Sequence, residues 1–229
     1  MRCRTIDNSR AGCKLELQRA AALSGKQTRD TIVDMPSPSS LQNTLLGLSS
    51  ADPSVRMAAA TEIYHLGRSL ADHAVYPWWT DKELSTLLNA PNPQVTIGVA
   101  VGRELFAQIH EANGLSRLAD VPPDQDAQEF ELHFPGGTSV DVLTSKDQDG
   151  AGPIAKYLRK FGEGIQQVEF RCTDVRRATE ILQEKFDIKA IYPEPRLGAD
   201  GALINFFLIA APDEGKILIE LYEPALRIE

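Results

Sequence analysis

The chain has 229 residues, 42% of them apolar and 24% charged, and its 24 Lys and Arg against 32 Asp and Glu give a formal net charge of −8. A chain of this length buries a core without disulfides and holds one large domain or two small ones. Its apolar content excludes a wholly disordered chain, no uncharged apolar run is long enough for a membrane helix, and the acidic balance argues against phosphate backbones, so neither a membrane nor nucleic acid is an expected partner.

The charge is uneven along the chain. Residues 1–40 carry net +3, residues 41–92 net −2 and residues 93–229 net −9. The first segment ends in Met35-Pro-Ser-Pro-Ser-Ser40, a linker composition, and is expected to be a basic, mostly disordered leader with a short helix around Lys14–Leu23 as its one candidate element. Met35-Pro36 reads as an alternative translation start, with residues 1–34 a dispensable extension. Three cysteines (Cys3, Cys13, Cys172) with no CxxC argue against a disulfide framework and a thiolate zinc site. Cys172 follows an alternating apolar run and reads as a buried strand thiol. The N-terminus has no apolar secretory core, and the expected setting is cytoplasmic.

Residues 41–92 read as a helical extension. Leu41, Leu45, Leu46 and Leu48 are spaced for one helix face. Asp52-Pro53 starts a second helix, with apolar residues at 55, 59, 63, 66 and 70. Tyr76-Pro-Trp-Trp79 breaks the pattern, and Trp78 and Trp79 read as packing anchors or, alternatively, as a partner-binding surface. Thr80 is placed to cap a helix over Asp81–Leu88, with Glu83 at the capping-box position. The words Leu45-Leu-Gly-Leu-Ser-Ser-Ala-Asp-Pro-Ser-Val55 and Leu84-Ser-Thr-Leu-Leu-Asn-Ala-Pro-Asn-Pro-Gln-Val95 recur loosely, which weakly resembles a HEAT-type repeat. One and a half copies cannot close a solenoid, so a small extension packed on the next domain is expected.

From Val95 the texture changes. Val95–Val101 reads as a strand, Arg103–Ala112 as a helix closed by Asn113-Gly114, Leu115–Val121 as a strand, Phe130–Phe134 as an alternating strand, and Ser139–Leu143 as another after the Gly136-Gly137 turn. Pro153–Phe161 reads as a short helix. The order then repeats: strand Ile165–Cys172, helix Asp174–Phe186, strand Lys189–Tyr192, a Pro/Gly loop, and strands Leu203–Ile209 and Ile217–Tyr222. The last hairpins align, with Val140/Ile219, Asp141/Glu220 and Val142/Leu221 matching in polarity. The fold class is therefore α+β, two tandem βαβββ modules within residues 93–229.

Three stretches carry a resemblance to a known family. They are Pro153-Ile-Ala-Lys-Tyr-Leu-Arg-Lys-Phe-Gly-Glu-Gly-Ile-Gln-Gln-Val-Glu-Phe170, Glu194-Pro-Arg-Leu-Gly-Ala-Asp-Gly201 and Ile217-Leu-Ile-Glu-Leu221, with Val95–Val101 a weaker fourth. Over residues 93–224 this wording resembles the vicinal oxygen chelate superfamily of glyoxalases, bleomycin-resistance proteins and extradiol dioxygenases, and within it the methylmalonyl-CoA epimerases. The resemblance implies a cleft on the sheet that holds a divalent metal, which polarises a carbonyl while a carboxylate moves a proton at the adjacent carbon. Carried over residue by residue, the ligand positions fall on Thr96, Asp141, Gln167 and Glu220. Both family histidines are thus missing, and an Asp/Gln/Glu set suits only a hard, weakly held ion such as Mg or Ca, or none.

Strand alternation gives a reading independent of the family. With Ile217, Ile219 and Leu221 toward the helices, Leu218, Glu220 and Tyr222 face the cleft. The same logic puts Gln167, Glu169 and Arg171 there, with Glu129, Glu131, His133 and Asp141. Taken with what the resemblance implies, the candidate catalytic carboxylates are Glu220, Asp141 and Glu169. The candidate metal ligands are Asp141, Gln167 and Glu220, with His133 as a substitute imidazole. Arg171 either pairs with these carboxylates or binds a substrate carboxylate, and Arg196 either meets a CoA-type phosphate or is an exposed loop cation. Two functions stay open. One is a metal-assisted lyase or isomerase of a small 2-oxo or acyl-thioester compound. The other is a non-catalytic module that has lost the metal and binds a small ligand, or binds a protein through its helical extension. A homodimer fits either.

Overall fold

In the computed structural model, residues 38–210 and 215–225 are described. The leader as far as residue 37, with its candidate helix, Cys3 and Cys13, lies outside them. The first helix, α1, runs from Pro38 to Gly47. Within it Leu45 is buried, as is Leu48 just beyond, but Leu46 is 46% exposed, so the expected four-leucine face is narrower than its spacing implied.

Helix α2 spans Pro53–Val75. Asp52 caps it by accepting the Ser54 N–H at 2.8 Å, and Pro53 fits the first turn, where its missing N–H costs nothing. Its buried stripe is Ala59, Ala60, Ile63, Gly67, Ala71 and Val75. Small residues dominate because the helix lies hard against the sheet: a Cβ on Gly67 would stand 2.6 Å from Ile97 Cδ1. Val55, expected on this face, is 43% exposed. A tight turn over Tyr76–Thr80 then buries Trp78 completely, its ring 6.4 Å from that of Phe170, with Trp79 on the same ring at 6.3 Å. Both tryptophans are thus packing anchors between the extension and the sheet.

Helix α3 is Lys82–Leu87, and its cap is Asp81, not Thr80. The Asp81 carboxylate accepts the Leu84 N–H at 2.9 Å, while the Thr80 hydroxyl turns back to the Pro77 carbonyl. Asp81 also pairs with Lys185 at 2.7 Å, and Glu83 takes Arg177 in a fork of 2.6 and 2.9 Å. These ties fasten the extension to a helix of the second module.

The remaining elements are β1 (Val95–Ala100), α4 (Arg103–Ala112), β2 (Ala127–Phe134), β3 (Thr138–Ser145), α5 (Pro153–Phe161), β4 (Gly164–Arg171), α6 (Val175–Phe186), β5 (Arg196–Leu197), β6 (Leu203–Ala210) and β7 (Lys216–Glu223). The strands form one curled sheet in the order β2-β3-β1-β4-β7-β6-β5. In each half the first strand pairs parallel with the last, β1 with β3 and β4 with β7, and the halves join through the antiparallel β1–β4 pair. The expected α+β pair of modules is the architecture observed.

Two expected strands do not form. Leu115–Val121 is an irregular segment held to β2 by an Ala119 N–H to Glu129 carbonyl bond, and Pro122 and Pro123 follow it at once. Lys189–Tyr192 makes only an isolated Ala190–Phe207 bridge, and the strand of that region is instead β5, inside the predicted loop. Helices α2, α4 and α6 press Leu105, Phe106, Ile109, Ala178, Ile181 and Leu182 into one core with Ile97, Val99, Val140, Val168, Phe170 and Ile219. Cys172 is buried there too. Among the described residues no helix is long and apolar enough to cross a membrane.

Candidate functional site

The face of the sheet away from the core cluster carries the polar residues. Along β7, Ile217, Ile219 and Leu221 are buried in the core, and Leu218, Glu220 and Tyr222 line a cleft of about 690 Å³. Register places the site residues in two neighbouring rows. One runs Glu131, Asp141, Gly98, Gln167 across β2, β3, β1 and β4. The next runs Thr96, Glu169, Glu220, Phe206 across β1, β4, β7 and β6.

Gly98 sits at the crossing for a steric reason. A Cβ there would lie 2.5 Å from Gln167 Cγ and 3.1 Å from Glu169 Oε1. Its absence opens the centre of the sheet to the Gln167 side chain. That amide bridges two acids: Nε2 donates to Glu220 Oε2 at 2.7 Å and to Glu169 Oε1 at 3.0 Å. A bulge in β4 opposite Gly98 and Val99 inserts Gln166, which also lines the cleft, and its buried side-chain oxygen has no partner among the described residues. The Thr96 hydroxyl donates to Glu131 Oε1 at 3.0 Å. Asp141 is 7% exposed, and among the described residues its carboxyl has no hydrogen-bond or ion-pair partner.

Burying acids close together favours their neutral forms. Burial first, then Asp200 and Glu131, pushes Glu129 up to about 7. Burial raises Glu169 to about 8 against the lowering effect of the Gln167 bond, with Glu129 and Glu131 adding to the rise. Asp141 and Glu220 rise well above the ordinary carboxylate range, chiefly through burial and then through their acidic neighbours. Groups poised near neutrality can both hold and release a proton.

The residues proposed for a metal do not fit one. Asp141, Gln167 and Glu220 share the cleft, but Gln167 turns its N–H donors, not its oxygen, toward the carboxyls where an ion would need acceptors. His133 is no substitute ligand. It lies on the exposed end of β2, with Nδ1 3.1 Å from the Ser139 hydroxyl and Nε2 3.4 Å from Glu131 Oε2. Among the described residues no three His, Cys, Asp or Glu side chains are grouped so as to hold an ion.

Arg171 also departs from its expected place. It is exposed at the end of β4 and donates to Gln94 Oε1 at 3.0 Å, outside the cleft lining. Arg196 does line the cleft, but it is engaged with Asp124 at 2.8 Å and lies 4.7 Å over the Tyr192 ring. Sequence reading missed the clasp across the mouth that this pair belongs to. Arg117 pairs with Asp200, whose carboxylate also accepts the Asp120 N–H at 2.9 Å, and Gln125 Nε2 donates to the Leu197 carbonyl at 2.9 Å. The 113–126 segment of the first module is thereby laced to the 191–202 segment of the second.

No protein-family model and no curated protein matches the chain. Similar solved structures include methylmalonyl-CoA epimerase from Mycobacterium tuberculosis, 29% identical over 58% of this chain and 88% of that one, with a TM-score of 0.48. A hypothetical protein from Bacillus halodurans is 25% identical over 58% and 95%, TM-score 0.47. Streptomyces coelicolor methylmalonyl-CoA epimerase in complex with 2-nitronate-propionyl-CoA is 22% identical over 57% and 96%, TM-score 0.45. The two modules, their strand order and the cleft on one sheet face make this a vicinal oxygen chelate-like fold, with Thr96 and Gln167 standing where the resemblance places imidazoles.

Proposed function

We propose that the chain binds a small molecule in the carboxyl-lined cleft and does so without a metal ion. The observation that carries this reading is the Gln167 amide, which occupies the space between Glu169 and Glu220 with donated hydrogen bonds. An amide in that position neutralises no charge but satisfies two acceptors, a task a cation performs in chelating sites. The cleft volume lies in the range of small-ligand sites. Its lining mixes the acids with Leu143, Ile154, Ile204 and Phe206, which suits a compound with a polar head and an apolar body. The class the sequence resemblance points to is a small carbonyl compound, a 2-oxo acid or an acyl thioester.

A second reading is favoured by the carboxyls held near neutrality. Glu169 with Glu220, or Glu129 from the opposite strand, can take a proton from a carbon beside a carbonyl and return it, the work of an isomerase or lyase.

One set of measurements tests both. Metal-stripped full-length protein is titrated calorimetrically with short acyl-CoA thioesters and 2-oxo acids, with and without EDTA. Binding that EDTA leaves unchanged, and that Glu220→Gln weakens about tenfold through loss of the carboxyl as a hydrogen-bond partner, is expected. Binding that appears only with an added divalent ion refutes the metal-free reading. Deuterium exchange at the carbon beside the carbonyl, lost in Glu169→Gln, establishes the second reading, and its absence with every compound that binds removes it.

A further inference from the structure

Acids outnumber cations among the residues that line the cleft. Glu129, Glu131, Asp141, Glu169 and Glu220 line it, from four different strands. The two arginines that also line it are each engaged, Arg117 with Asp200 and Arg196 with Asp124. The Thr96 hydroxyl and the Gln167 amide, donors at the floor, are engaged with Glu131, Glu169 and Glu220. Asp141, more than nine-tenths buried, offers a carboxyl with no partner among the described residues, and Gln166 offers a buried carbonyl oxygen with none. Buried polar groups in a folded protein are ordinarily paired, so the orphan Gln166 oxygen, with the unpartnered Asp141 carboxyl in the same cleft, marks a place for donors that come from outside the chain.

We infer that the cleft selects a ligand carrying a protonated primary amine, with the ammonium group seated at Asp141 and Gln166 and an aromatic or aliphatic body laid against Ile204, Phe206 and Leu218. An ammonium has three donors and no acceptor, and a cation beside Asp141 favours its ionised, accepting form, with the Gln166 oxygen as a second acceptor. It also tolerates looser partners than a metal: N–H···O bonds form at 2.7–3.2 Å in many directions, whereas a hard cation needs several oxygens converged at about 2.0–2.6 Å. The acids here are spread over four strands and not converged, which an organic cation accepts and an ion does not. The inference rests on the cleft being the ligand site and adds the ligand's charge: a carbonyl compound that binds here presents an amine, not a carboxylate, to the sheet.

The test is calorimetric titration of full-length protein with three compounds of one shape and three charges: 2-phenylethylamine, 2-phenylethanol and 3-phenylpropionate. The amine is expected to bind about 10- to 100-fold more tightly than the alcohol, the span of a charge-assisted hydrogen bond, with the carboxylate weakest. Asp141→Asn is expected to erase most of that preference. Glu169→Gln is a second variant that keeps an acceptor for the Gln167 amide and is expected to reduce the preference in part. Equal binding of amine and alcohol, tighter binding of the carboxylate, or an unchanged preference in Asp141→Asn overturns the inference. Failure of all three compounds overturns it too. If neutral or anionic acyl compounds bind nonetheless, the cleft remains the ligand site and only the charge assignment falls. If they also fail, both fall.

Discussion

Replacing Glu169 by Gln should stabilise the protein at alkaline pH, although it removes a charge from a polar site. Glu169 titrates at about 8 in the folded chain against 4.5 as an ordinary side chain. Below pH 4.5 both the folded and the unfolded chain hold the proton, and the group contributes nothing. Between 4.5 and 8 the folded chain holds more protons than the unfolded one, so stability falls as pH rises. Above 8 the full cost of a buried charge among like charges is present, on the order of 3–5 kcal/mol for a shift of this size at about 1.4 kcal/mol per pH unit. The glutamine side chain would keep an acceptor for the Gln167 amide and could not ionise. Urea unfolding of both proteins at pH 5, 6, 7 and 8 measures the difference. Near-equal stability at pH 5 and a variant several kcal/mol more stable at pH 8 is the expected result. Parallel profiles, or a variant less stable at pH 8, would refute the burial of an uncompensated acid cluster.

Three further outcomes follow from the packing. Gly98→Ala should cost about 1–3 kcal/mol as an overpacked site, because its Cβ would displace Gln167 from 2.5 Å, and ligand affinity should fall with it; a melting temperature and an affinity both at wild-type values would contradict this. Trp78→Ala should cost about 3–5 kcal/mol in denaturant unfolding, since the indole is wholly buried between the helical extension and Phe170, and a cost under about 1 kcal/mol would mean the extension is not anchored there. Asp200→Ala should speed hydrogen exchange at the Asp120 amide, which loses its acceptor, while amides in the central strand β1 keep their protection; unchanged exchange at Asp120 would show that the clasp does not hold the mouth.

Much of the fold was legible because strands declare themselves by period and modules by repetition. The Val140/Ile219 and Asp141/Glu220 correspondence predicted equivalent last strands, and each does pair parallel with the first strand of its module. Alternation along β7 and β4 separated Glu220, Gln167 and Glu169 from the core. Where reading failed, a single local fact overrode the pattern. Leu115–Val121 has strand composition but runs into two prolines, and Arg196–Leu197 looks like loop yet finds the edge of β6. Arg171 and His133 obey alternation but sit toward strand ends, where facing the right side does not mean reaching the floor of the cleft. The Gln166 bulge, the need for glycine at 98 and the Arg117–Asp200 clasp depend on register between strands and on loops far apart in sequence. None leaves a periodic trace.

Buried acids that share protons and await no metal are the central claim, and their titration measures it directly. Carbon-13 NMR of the side-chain carboxyls in metal-stripped full-length protein, followed from about pH 4 to 9, should show Glu129 titrating near 7 and Glu169 near 8, with Asp141 and Glu220 still protonated well above the ordinary range. If all four titrate below about pH 5, the cluster is compensated or solvated, and the cleft does not hold the buried acids described.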